Sequence, residues 1–372
     1  METSRNAAIV PYMVTHPTAI IKDELNARGM SQKELAERMD MKPSNLSRLL
    51  KGENLTPSIA AKLEYALDIP ANLWLSLQTQ YDKDVKAVNI RDEQERASFN
   101  TERMLSTILN LPELYKRLNI NTSFFIQKKL QVLEDLLGFQ PLDIREKRFA
   151  QQICYKKSDK LNIDEKNQAT WLTLAYINAR GICLESSYSK GNALTAAKEI
   201  SRKVHIGNLS EKEIQHTLNN NGIVYAVVEK LEKAPIDAVS IKMENHPAIV
   251  TTHRHNDMSR LVFNILHELG HIELHMNEDA NNAVFVSFDE AYSIHNSQEK
   301  EANEFAENML IDQVLWKKIM HTETNSLYSS NIVNKLRRLS EENHLDFNIV
   351  IWRYKYESHH YNLCGVKPTH IR

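Results

Sequence analysis

The sequence predicts a mainly α-helical chain with one small β-sheet, an α+β class split between an all-α N-terminal domain and a mixed C-terminal one. Three observations predict it. A capped pair of short helices is written into residues 31–51. Strand-like runs, Gly222 to Val227 and Asn245 to Val250, are bounded by turn residues. Between and after them lie long stretches whose apolar residues recur at helical spacing. With 372 residues, two or three domains are expected, each able to bury a core. The expected boundaries are 1–82, 83–158, 159–318 and 319–372.

In the first element pair, Ser31 is placed to cap a helix, with Glu34 at the capping-box position three residues on. Leu35, Met39, Leu46, Leu49 and Leu50 supply the buried face, and Ala36 is small where two helices must cross. Asp40 stands in the turn, where a residue tolerant of positive φ is needed. Pro43 suits the first turn of the next helix. Together these residues read as a helix-turn-helix.

The flanking segments His16 to Leu25 and Pro70 to Gln78 extend the pattern. With them, the region resembles the XRE-type domain of HigA-like antitoxins. The resemblance implies a five-helix DNA-binding domain over roughly residues 14 to 82. Its recognition helix would present Ser44, Asn45, Ser47, Arg48 and Lys51 to the major groove of double-stranded operator DNA. Gln32 would contact backbone phosphate, and Arg48 is the best candidate for bidentate reading of guanine.

Residues 83 to 100 are charged and lack a strong apolar period, so they read as a solvated helix extension or a linker. Thr101 to Leu118 and Ser123 to Leu137 carry helix-period apolar residues and are expected to form a helical connector. Asn162 to Cys183, with Trp171, Leu172, Leu174, Ala175 and Ile177, reads as the first long helix of the second module.

The chemistry concentrates in Asn264 to His271, where His267-Glu268-Leu269-Gly270-His271 forms H-E-x-x-H within an apolar, helical run. Histidines four residues apart lie on one face of a helix, so both imidazoles can bind one Zn²⁺. Glu268 beside them can serve as general base. A catalytic zinc needs a third protein ligand and an open position. Glu299 is the candidate, because Ala302, Phe305 and Ala306 give its helix a small-residue face able to approach closely. Glu301 points elsewhere on that helix. His275 continues the i, i+4 series but drifts off the metal-facing line, and reads as a surface histidine or one supporting a ligand.

His267 to His271 followed by Glu299-x-x-Ala302-Asn303-x-Phe305-Ala306 resembles the ImmA/IrrE family of zinc metallopeptidases, over roughly residues 165 to 315. The resemblance implies a zincin-like, gluzincin-type domain whose substrate is a helix-turn-helix repressor of phage, mobile-element or stress genes. Ile332 to Arg353 resembles the helical tail that often follows the peptidase core, although Trp352 stands where a smaller residue is expected.

The segment Met276 to Ser297 is long for a connection. Within it, Val284 to Phe288 alternates as an edge strand or a substrate-binding flap would. His253, Tyr292 and His295 are candidate donors to an oxyanion. Net charge is −2, which excludes global attraction to nucleic acid, so DNA affinity must come from a local basic face and be salt-sensitive. Cys154, Cys183 and Cys364 lack zinc or redox spacing and are expected to be reduced and buried. No signal sequence or 18-residue apolar run is evident, and a cytoplasmic protein is expected.

Three functional readings follow. The first is a zinc endopeptidase with its own DNA-binding domain, expected to act as a homodimer. The second is a HigA-like antitoxin or transcriptional regulator whose peptidase-like half docks a partner, such as a toxin, without cleaving it. The third is a zinc-stabilised scaffold. A closed structural site prefers a fourth protein ligand, often Cys, and none is spaced for that role. Retention of Glu268 favours the enzyme.

Overall fold

The computed structural model describes residues 10–145, 163–276, 284–288, 297–321, 329–358, 363, 370 and 371. The chain divides into two compact units, one ending at Asn100 and the other beginning at Thr101.

The first unit is all helical. Its helices are α1 (Thr18–Ala27), α2 (Gln32–Arg38), α3 (Pro43–Leu49), α4 (Pro57–Leu67) and the start of α5 (Ala71–Ile108). Ser31 caps α2 by accepting a hydrogen bond from the Glu34 amide, and Thr56 caps α4 in the same way through Ile59. Between α2 and α3 the chain turns at Asp40, whose φ is 44°. Asp tolerates this left-handed conformation better than branched residues do. Pro43 occupies the first turn of α3, where its missing N–H costs nothing. Ile21, Leu35, Ala36, Met39, Leu46, Leu49, Leu63, Leu67 and Trp74 form one buried core.

Residues 83 to 100 are a helix extension, the first of the two readings: α5 runs through them without a break. Its apolar periodicity is weak because much of it lies exposed. On its buried side, Tyr81 packs edge-on against His16, and Arg91 donates to the Pro11 carbonyl.

The second unit is built around a four-stranded sheet in the order β1-β3-β2-β4, comprising β1 (Val224–Val227), β2 (Ile236–Lys242), β3 (Pro247–Thr251) and β4 (Val284–Phe288). β1 and β3 run parallel, and β2 is antiparallel to both β3 and β4. Val284 to Phe288 thus forms an edge strand. Alternate residues serve opposite faces, as the period of a strand requires. Val224, Ala226, Ala248 and Val250 join a core with α6 (Leu111–Arg117), α7 (Ile126–Leu137) and α8 (Glu165–Arg180). Tyr225 and Ile249 face the other way, into a core with α9 (Asn192–His205), α10 (Glu211–Asn220) and α11 (Met258–His275). Because both faces are covered, β3 reads as a continuous buried run, whereas a half-exposed strand would alternate.

Against α11 packs α12 (Ser297–Leu310), followed by α13 (Gln313–His321), α14 (Ser329–Glu342) and α15 (Phe347–Ser358). Arg353 on α15 is 1% exposed and donates to the Glu307 and Ile311 carbonyls. It thereby ties down the C-terminal end of α12, pairing the Ile311 carbonyl just past the helix and sharing the Glu307 carbonyl with the Ile311 amide. Trp352 packs on Phe263 of α11 and stacks on Tyr356. The larger side chain at 352 therefore fills an aromatic contact between α15 and α11.

Candidate metal centre and nucleic-acid interface

Asp257 caps α11 by accepting from the Ser259 and Arg260 amides. From there the helix runs buried through His267, Glu268, Gly270 and His271. A Cβ at Gly270 would lie 3.2 Å from the Ala302 Cα and 3.3 Å from its carbonyl oxygen. The small pair Gly270 and Ala302 therefore lets α11 and α12 approach backbone to backbone, which brings the α12 carboxylate to the α11 histidines.

Glu299 meets both imidazoles there. Its Oε2 lies 3.4 Å from His267 Nε2 and its Oε1 3.4 Å from His271 Nε2. The two Nε2 atoms are 3.0 Å apart. One ligand atom from each of the three residues lies within 4.8 Å of the others, and all three residues are buried. His267 Nδ1 sits 2.8 Å from Asn303 Oδ1. An amide oxygen accepts, so Nδ1 carries the hydrogen and Nε2 is left as a lone pair aimed at the carboxylate and the second histidine. Two nitrogen donors and a carboxylate converging in a buried space fit a divalent cation such as zinc.

The charges of Glu299 and His271 agree with that fit, while a proton on His267 competes with the metal. Burial alone would push the His267 imidazole down, but Glu299, Glu268 and Asn303 outweigh it and raise its pKa. His271, dominated by burial, is lowered to about 4. Burial would raise the Glu299 carboxyl, yet the two histidines beside it outweigh burial and hold it well below the usual carboxylate range. Glu299 is thus an anion and His271 a neutral imidazole at pH 7, the states in which each can bind a metal.

Of the other residues singled out in the sequence, Glu268 is fully buried beside His267. Glu301 does not face the cluster; its Oε2 lies 3.1 Å from His275 Nε2, and His275 Nδ1 is 3.0 Å from His271 Nδ1. His253 pairs with Glu211 at 2.8 Å, which occupies it outside the cluster. Tyr292 and His295 lie outside the described residues, as do Cys154 and Cys364. Cys183 is free but exposed, contrary to expectation, because α8 ends at Arg180 and the chain turns outward there. Sequence reasoning missed Asn303 as the partner of His267. The signal was available, since Asn303 lies four residues after Glu299 and shares its face.

On α3, Ser44, Asn45 and Arg48 lie exposed and Ser47 half-buried, with Lys51 exposed in the turn just past the helix, while Leu46, Leu49 and Leu50 are buried. Gln32 is exposed at the first position of α2. The Arg48 guanidinium pairs with Glu53 at 2.9 Å, a contact the sequence did not announce.

The fold and the site define a helix-turn-helix protein joined to a peptidase-like domain with a buried His-His-Glu group. Comparison with known proteins agrees at both ends. A family model described as helix-turn-helix matches residues 21–74. A peptidase family model, described as IrrE N-terminal-like domain, matches residues 223–342. The chain is similar to the "Uncharacterized HTH-type transcriptional regulator YddM" of Escherichia coli, with 38% identity over 72 residues, covering 18% of this chain and 77% of that protein. This chain belongs to the XRE-type helix-turn-helix family and carries an IrrE/ImmA-like peptidase domain C-terminal to its DNA-binding domain. No helix among the described residues is long and apolar enough to cross a membrane.

Proposed function

We propose that this chain is a zinc-dependent endopeptidase with its own DNA-binding domain, and that it regulates transcription by cleaving a helix-turn-helix repressor. The observation that carries this reading is the buried triangle of His267, His271 and Glu299 with Glu268 enclosed beside it. His267, His271 and Glu299 would hold the ion. Zinc held there would acidify water to a pKa of about 7 and polarise a scissile carbonyl. Glu268 takes the proton from the attacking water and delivers it to the leaving amine. Asn303 holds the His267 ring with Nε2 turned to the site.

In this reading residues 1–82 bind operator DNA through Gln32, Ser44, Asn45, Ser47, Arg48 and Lys51. Residues 83–158 connect, 159–318 form the peptidase and 319–372 its helical tail. A cytoplasmic homodimer would match a two-fold operator. Binding near the target repressor would raise its local concentration by tethering. The HigA-like alternative, docking without cleavage, draws on the likeness to a transcriptional regulator. Incubating the zinc-loaded chain with the product of a neighbouring repressor gene, then measuring fragments by mass spectrometry, separates the two. Discrete fragments that vanish on chelation support the peptidase; an intact repressor under all conditions favours docking.

A further inference from the structure

The two histidines of the triangle are held in different ways. His267 leans on a side-chain amide. His271 instead stands at the inner end of a chain of three groups, with Nδ1 facing His275 Nδ1 at 3.0 Å and His275 Nε2 facing Glu301 Oε2 at 3.1 Å.

The hydrogens in this chain can be assigned from its outer end. An ionised carboxylate only accepts, so His275 Nε2 carries the hydrogen toward Glu301. A neutral imidazole has one N–H, which leaves His275 Nδ1 as an acceptor. His271 must then donate from Nδ1, and its Nε2 becomes a lone pair. That nitrogen is the one lying 3.4 Å from Glu299 and 3.0 Å from His267 Nε2. The opposite assignment, with hydrogen on His275 Nδ1, would put a proton on His271 Nε2 and block it as a ligand. The assignment that satisfies Glu301 therefore also prepares His271 to bind a metal.

We infer that His275 and Glu301 are positioning residues, which lock the tautomer and ring orientation of His271 for metal binding. The inference rests on the metal reading above. The lock forms only when α11 and α12 are packed, because α11 carries both histidines one turn apart and α12 carries the carboxylate. It also runs outward: the side chains of His271 and His275 are 0% and 6% exposed, and that of Glu301 57%.

The test is zinc affinity of the full chain, measured by competition with a chromophoric chelator at neutral pH. His275→Leu should weaken binding about tenfold to a hundredfold, the range for lost outer partners of metal-binding histidines. His275→Asn places an amide oxygen near the position of Nδ1 and should recover most of that loss. Glu301→Ala should weaken binding by a smaller factor. With Co²⁺ in place of zinc, the visible spectrum of the Leu variant should shift as the ligand field changes, while that of the Asn variant should not. Thermal unfolding of the metal-free variants verifies that the fold persists. Equal affinity in wild type and His275→Leu overturns the lock. Equal weakening in the Leu and Asn variants also overturns it, since packing and not hydrogen-bond acceptance would then be at stake. A wild-type chain that binds no zinc would instead sink the metal reading itself, and the lock with it.

Discussion

Gly270 and Ala302 meet where α11 crosses α12: a methyl group added at Gly270 would lie 3.2 Å from the Ala302 Cα. The Phe305 ring stands equally close, but the Ala302 obstacle is backbone and cannot be relieved by the swing of a flexible side chain. Gly270 sits between His267 and His271, and Ala302 is one turn from Glu299. The site's three candidate ligands are therefore only as close as this crossing allows.

Gly270→Ala tests that relationship. Alanine would gain about 1 kcal/mol of helix propensity over glycine. Forcing α12 outward by a few tenths of an ångström costs about 1–3 kcal/mol, so a net loss of stability of up to about 2 kcal/mol is expected. Urea unfolding of the metal-free chain measures it. A stability gain would mean that α12 yields freely and that the crossing does not set the site's geometry.

Glu268→Gln separates binding from chemistry. Glutamine keeps the shape of the side chain and loses the base, so zinc content should stay at the wild-type level. Proteolysis should fall about 10²–10⁴-fold, the range of a general base. Cleavage of the repressor by this variant at an unchanged rate would remove Glu268 from the mechanism.

The site was legible in the sequence where its logic is local. Two histidines at i, i+4 and a carboxylate on a small-faced helix need only the 3.6-residue period to be read. The capped α2–α3 pair, with Ser31, Asp40 and Pro43, was legible for the same reason. What the sequence did not reveal depends on packing between distant elements. The contact of Glu301 with His275 spans 26 residues, and that of Arg353 with the end of α12 spans more than 40. The strand order β1-β3-β2-β4 likewise places β3 between two strands that precede it. No short-range pattern encodes that insertion. The continuity of α5 through residues 83 to 100 was obscured because an exposed helix needs no apolar stripe.

Replacing Arg48 and Lys51 by Ala should leave folding and zinc content unchanged, because both positions are exposed. Operator binding should weaken by about 1–3 kcal/mol for a lost guanine contact. The salt dependence should also flatten if Lys51 meets phosphate. Titration of labelled operator DNA at two salt concentrations checks both. Normal affinity in the double variant would mean that α3 does not read the DNA.

Acid should release the metal in two stages. Ligand histidines must be neutral to bind, so protonation competes with zinc. The His267 pKa is raised, so this group protonates first, already above the ordinary 6.5; His271, lowered to about 4, resists until much lower pH. Zinc affinity should therefore fall about tenfold per pH unit from above the ordinary 6.5 down to about pH 4, and more steeply below that. Chelator competition at stepped pH measures the slope. A slope of two protons already at about pH 6 would contradict the unequal environments of the two rings.

Whether His267, His271 and Glu299 hold a metal is decided most directly by elemental analysis of the purified chain and two variants. One zinc per chain is expected in the wild type, with strongly reduced zinc in both His267→Ala and Glu299→Ala. Full zinc occupancy in Glu299→Ala, or a wild-type chain that takes up no zinc when it is supplied, would contradict the assignment.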